Sequence, residues 1–134
     1  MINCEKEIIE LHQFFQDWFN GEIPEEDDIF ARFSAVMADG FYIVSPNGRL
    51  TLRTPLVENL RQLHANSHSN PGKIWIQDVQ IRHQSEDLIL ATYEEWQEFN
   101  GETTSRLSSV LFQVDDSAPN GLAWLYVHEI WLGK

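Results

Sequence analysis

The amino-acid sequence predicts an α+β domain in which three N-terminal helices and a short hairpin lead into a run of long antiparallel strands. Three observations predict it. In the first half of the chain apolar residues recur three or four apart, the spacing of an amphipathic helix. In the second half, long runs rich in β-branched and aromatic residues alternate between apolar and polar positions. Two of those runs are separated by Asn100-Gly101, a strong local hairpin signal, because both central residues of a type I′ turn need positive φ.

Taken in order, residues 3–20 place Ile8, Leu11, Phe15 and Phe19 on one helical stripe, with Cys4, His12 and Trp18 beside it, and Asn20-Gly21 ends the helix. His12 is expected to be a packed, hydrogen-bonded core group, and Cys4 a helix residue with no nucleophilic role. A second helix begins after Pro24, where the carboxylates of residues 25–28 favour a helix N-terminus. It carries Ile29, Phe30, Phe33, Val36 and Met37 on one side until Asp39-Gly40 breaks it. Residues 41–44 and 49–54 flank the turn Ser45-Pro46-Asn47-Gly48 and form a hairpin. Thr54 then caps a third helix with Pro55 at its first position and Leu56, Leu60 and Leu63 on its stripe, before a polar loop over 66–72. Long strands follow at 73–82, 88–99 and 102–115.

The C-terminal run 122–132 holds no Pro or Gly, and both its faces are mostly apolar, as expected for a strand near the centre of a sheet. Alternation gives one face Trp124, Tyr126, His128, Ile130 and Leu132, and the other Ala123, Leu125, Val127, Glu129 and Trp131. Each face therefore carries one titratable group.

Composition excludes several function classes. The 134 residues suit one domain, 1–134, and carry 43% hydrophobic and 22% charged side chains. A formal net charge of −12 opposes binding to nucleic acid and to anionic membranes. No run is long enough to span a bilayer, and Glu5, Glu7 and Glu10 interrupt any signal-peptide core, so a cytoplasmic protein is expected. A single cysteine excludes an internal disulfide, and His64 and His68 lack an evident third ligand, so neither metal nor cofactor is expected.

The Asn100-Gly101 tip sets a register. It pairs Phe99 with Glu102, Gln97 with Thr104, Glu95 with Arg106, Tyr93 with Ser108 and Ala91 with Val110. Glu95, Arg106, Tyr93 and Ser108 thus share a sheet face. If the last strand pairs alongside Val110, His128 lies within one residue of Ser108 or Val110, and we place it on that same face, over an apolar floor of Phe112, Trp124 and Tyr126. The opposite face then holds Glu94, Trp96, Leu107, Leu111, Leu125, Val127 and Trp131, a broad apolar patch of the kind that forms a two-fold dimer.

The helix-helix-hairpin-helix order ahead of long strands, the 8–19 helix, the strand and turn 41–48, Arg106-Leu107-Ser108-Ser109-Val110 and the run 124–131 resemble the NTF2-like superfamily, and within it the small SnoaL-like and DUF4440-type domains. The resemblance covers nearly the whole chain. It implies a cone of three N-terminal helices packed on a strongly curved, mixed, mostly antiparallel sheet, with the arginine and histidine of the last two strands pointing inward. Catalytic relatives such as ketosteroid isomerase use an inward Asp or an Asp-His pair. Asp39 and Asp78 match neither position.

Three functions are expected to compete. In the first, the cone binds a small apolar or acidic molecule, with Arg106 clamping an oxygen and Tyr93, Ser108, Trp124 and Tyr126 lining the pocket. In the second, His128 is the general base of a lyase, isomerase or hydrolase, with Glu95 or Tyr93 orienting it or donating a proton. In the third, the domain is an association module, a homodimer through its outer sheet face and without pocket chemistry.

Overall fold

The structure is a computed structural model that describes residues 2–133. Helix α1 (Cys4–Asn20) starts where the Asn3 side chain accepts the Lys6 N–H at 3.0 Å. It ends at Gly21 in the left-handed region, φ 72°, where a Cβ would lie 2.8 Å from that of Ala65, so glycine is required twice over. Its inner face buries Ile8, Leu11, Phe14 and Trp18, and the Trp18 indole N–H donates to Leu60 O at 2.8 Å. Cys4 is buried there as well, and burial, followed by the charges of Glu5 and Glu7, pushes its thiol up to about 11, away from nucleophilic use.

Helix α2 (Asp27–Ser34) is shorter than its periodicity predicts. Val36 and Met37 leave the helix because the last strand recruits them: Trp124 N–H donates to Val36 O at 2.7 Å, and Met37 pairs with Trp124 in strand β1 (Met37–Val44). Both residues are buried in either conformation, so apolar spacing could not separate the two outcomes. Arg53 closes the helix end, donating to Ser34 O at 2.8 Å and Met37 O at 3.0 Å. The hairpin turn at 45–48 joins β1 to β2 (Leu50–Leu52). Helix α3 (Arg53–Gln62) starts earlier than Thr54-Pro55 suggests, with Leu52 at the cap, and Pro55 sits within the first turn, where a missing N–H costs nothing.

Strands β3 (Lys73–Gln84), β4 (Leu88–Phe99), β5 (Glu102–Val114) and β6 (Leu122–Trp131) complete one six-stranded sheet in the order β2-β1-β6-β5-β4-β3. Only β1 and β6 run parallel, which makes the sheet mixed and mostly antiparallel. Asn100 and Gly101, at φ 56° and 78°, form the turn between β4 and β5, and the pairing from Phe99–Glu102 to Ala91–Val110 is the one the sequence predicts. Helices α1, α2 and α3 cover the inner face, and the core lies between the two layers. Among the described residues no helix is long and apolar enough to cross a membrane.

The last strand departs from simple alternation. Leu111 pairs with Tyr126 but Phe112 pairs with Trp124, so Leu125 has no partner and β6 carries a bulge. From that point every side chain changes face. Trp124 points into the core, and so do Val127 and Glu129, whereas Tyr126, His128 and Ile130 are turned outward; His128 and Ile130 are exposed. The predicted inward positions of His128 and Tyr126 are corrected on this ground, as is the covering of both faces of the strand.

Candidate functional site

Helix α1 lies across the sheet so that His12, one turn after Ile8, reaches Glu95 in β4. The His12 Nδ1 stands 2.8 Å from Ile8 O and Nε2 stands 3.2 Å from Glu95 Oε1. A carbonyl and an ionised carboxylate only accept, so with Glu95 ionised both ring nitrogens donate and the ring is an imidazolium. Burial opposes a charged imidazole, but Glu95 overrides it and holds the His12 pKa above its ordinary value. Burial likewise works to raise Glu95; the His12 charge and hydrogen bond, with Arg106 and Gln97, reverse this and bring it down to about 2. The Gln97 amide donates to the second Glu95 oxygen at 2.6 Å.

A second ion pair lies beside the first. Arg106, opposite Glu95 in the register, turns its Nη1 to Glu129 Oε1 at 3.0 Å and not to Glu95. The Arg106 guanidinium also stacks over the Trp131 ring at 4.8 Å. Burial and the nearby Glu95 charge push the Glu129 carboxyl up, and Arg106 opposes them. Tyr93, wholly buried, is held well above the usual phenol range by burial and by Glu95.

These groups line a cavity of about 200 Å³. Its walls are otherwise apolar, built from Phe15 and Phe19 of α1, Phe33, Phe41, Leu56, Ile74 and Trp124. Trp124 packs edge-on against Phe112 at 4.6 Å, but of the floor predicted from Phe112, Trp124 and Tyr126 only Trp124 lines the cavity. Of the predicted site residues, Glu95, Arg106, Tyr93 and Trp124 reach the cavity. Ser108 shares their face but is sealed behind them, fully buried, its Oγ beside the Tyr93 hydroxyl without a well-formed hydrogen bond. Tyr126 packs against Tyr42 on the outer side, ring centroids 4.8 Å apart and tilted by 47°, and His128 lies beside it, so neither touches the cavity. Val127 and Trp131, assigned by sequence to the outer patch, belong to the inner register.

Sequence reasoning missed three members of the site. His12 and Glu95 are 83 positions apart, and nothing local to His12 distinguishes a core histidine from a site histidine. Gln97 follows from the register once Glu95 is placed. Glu129 was reachable only through the bulge.

Residues 4–133 match the family model described as sucrose-6-phosphate phosphohydrolase C-terminal. Sucrose-phosphatase 1 of Nicotiana tabacum is 25% identical over 127 residues, which cover 94% of this chain and 30% of that protein. The chain thus spans about three tenths of the length of the curated relatives it matches. An NTF2-like protein of unknown function from Pseudomonas aeruginosa superposes with a TM-score of 0.83 at 26% identity, covering 96% of this chain and 98% of that one. The association domain of C. elegans CaMKII superposes with a TM-score of 0.64 at 13% identity and 94% coverage of both chains, a likeness of fold alone. With an NTF2-like fold and a family match over nearly its whole length, the chain belongs to the sucrose-6-phosphate phosphohydrolase C-terminal family.

Proposed function

We propose that the cone binds a small, uncharged, hydroxyl-bearing molecule with an apolar face. One observation carries this reading: the polar floor of an aromatic cavity is a charge-balanced set, His12 and Arg106 positive, Glu95 and Glu129 negative. An anion that reached the remaining donors of Arg106 would sit beside the Glu129 and Glu95 carboxylates, and their charges would oppose it. A neutral ligand keeps both pairs intact and hydrogen-bonds to them while its apolar face rests on aromatic walls. The expected clamping of an acidic ligand by Arg106 is therefore the weaker of the two pocket chemistries. At about 200 Å³ the cavity lies below the ~300 Å³ at which drug-sized pockets begin, so one ring fits it better than two. The relatives named sucrose-phosphatase make carbohydrates the first class to test.

Thermal-shift titration with glucose, sucrose, glucose 6-phosphate and benzoate tests the proposal. Neutral sugars should raise the melting temperature of the wild type and not of Arg106→Ala. Stabilisation by the anions alone would overturn it.

Two further features favour additional roles. The His12–Glu95 dyad beside Tyr93 supports a turnover reading of the SnoaL-like or ketosteroid-isomerase-like kind, with His12 in the place foreseen for His128. The outer face leaves Leu90, Tyr42 and Ile130 exposed, which supports a homodimer formed through that face in the cytoplasm. Sedimentation of a monomer at micromolar concentration would remove the dimer.

A further inference from the structure

The two ion pairs of the cavity are unequal. Glu95 has spent both carboxylate oxygens inside the chain, Oε1 on His12 and Oε2 on Gln97, and so ties α1 to β4 with little capacity left for a ligand. Glu129 has spent one, Oε1 on Arg106, and its second oxygen makes no hydrogen bond among the described residues. Arg106 is likewise half-used: among the described residues only Nη1 donates; Nε is sealed inside the protein without an acceptor, and Nη2 is the donor left for a ligand oxygen. Side by side, this pair offers one free acceptor and free donors. A carboxylate ligand would use only the donors and an ammonium only the acceptor. Two neighbouring hydroxyls use both, one donating to Glu129 and the next accepting from Arg106. Trp131, opposite Arg106 in the register and 53% exposed, lies outside the cavity lining and stacks on the guanidinium, which fixes the orientation of Arg106.

We infer that Arg106 and Glu129 are the specificity-determining edge of the cavity and read a pair of adjacent hydroxyls on a saturated ring, with Trp131 positioning Arg106 and with His12, Glu95 and Gln97 as the clamp that holds the floor. This rests on the neutral-ligand reading above and narrows it. Gln97, though at the wall, serves to hold Glu95, and Ser108 takes no part.

The test is ligand-observed NMR and calorimetry with three probes: methyl glucoside, which has adjacent hydroxyls; cyclohexanol, which has one; and benzoate. The wild type should bind the glucoside more than about tenfold tighter than cyclohexanol, the discrimination expected when a site built to hydrogen-bond a hydroxyl meets an analogue lacking it. Glu129→Gln and Trp131→Ala should each lose about tenfold or more in glucoside affinity while melting cooperatively, and Trp131→Phe should restore part of it. Equal binding of cyclohexanol and glucoside, or unchanged affinity in folded Glu129→Gln, overturns the edge and leaves the neutral-ligand reading standing. Binding of benzoate with neither neutral probe, or of no probe at all, overturns both.

Discussion

The interior holds two carboxylate centres, and the way they differ separates structure from site. In the first, Glu7 is wholly buried and every lone pair is used: Arg32 donates to both oxygens at 2.8 and 3.3 Å, Asn120 to Oε1 at 2.9 Å and Trp124 to Oε2 at 2.8 Å. It pins α1 to α2, to the loop before β6 and to β6 itself, and it is not part of the lining of the 200 Å³ cavity. In the second, Glu95 and Glu129 face an open cavity with Arg106 Nε unpartnered. Trp124 belongs to both: its N–H completes the closed centre and its ring walls the open one. A saturated network specifies a fold, and an unsaturated one beside a cavity leaves capacity for something else to bind.

The comparison breaks first at the closed centre. Glu7→Ala strands the Arg32 guanidinium and the Asn120 and Trp124 N–H groups, and should cost about 3–5 kcal/mol in urea denaturation. A loss below about 1 kcal/mol would mean that the closed centre does not hold the layers together.

The open centre should show itself next, through pH. His12 is raised above 6.5, so its contribution to stability is full below 6.5 and is lost as pH rises through the folded value. Glu95 is lowered from 4.5 to about 2, so its contribution is present above 4.5 and is lost as pH falls towards 2. Glu129, raised above 4.5, works the other way and blunts the acid limb. Melting temperature should therefore peak between pH 4.5 and 6.5 and fall on the alkaline side. In His12→Gln that alkaline fall should flatten, and an unchanged profile would show that the imidazolium is not part of the centre.

The smallest effects sharpen the boundary of the site. Ser108→Ala removes a buried hydroxyl that sits beside Tyr93 without a well-formed hydrogen bond, and should change stability by less than about 1 kcal/mol. His128→Ala, on the exposed outer face, should lie within about 0.5 kcal/mol of wild type and leave any ligand-induced shift intact. Loss of that shift would return His128 to the cavity and refute the bulge.

How much was legible follows from these residues. The β4–β5 register was readable because a two-residue Asn-Gly turn admits one pairing, and it delivered Glu95, Arg106 and Tyr93 to a common face. Their partners were not readable. His12 meets Glu95 only when α1 crosses the sheet, and Arg106 chooses Glu129 over its direct cross-strand neighbour only when β6 is in place.

The sequence by itself determined the three helices, the long strands, the turn between β4 and β5 and the inner face of those two strands, because periodicity and turn chemistry act over a few residues. Tertiary structure alone decided where α2 stops and which face of β6 carries its charge. Pairing with β6 drew Val36 and Met37 out of a helix that their spacing allowed. One unpaired residue, Leu125, exchanged His128 for Glu129 at the cavity, since a strand's side chains alternate and a single extra residue reverses everything after it.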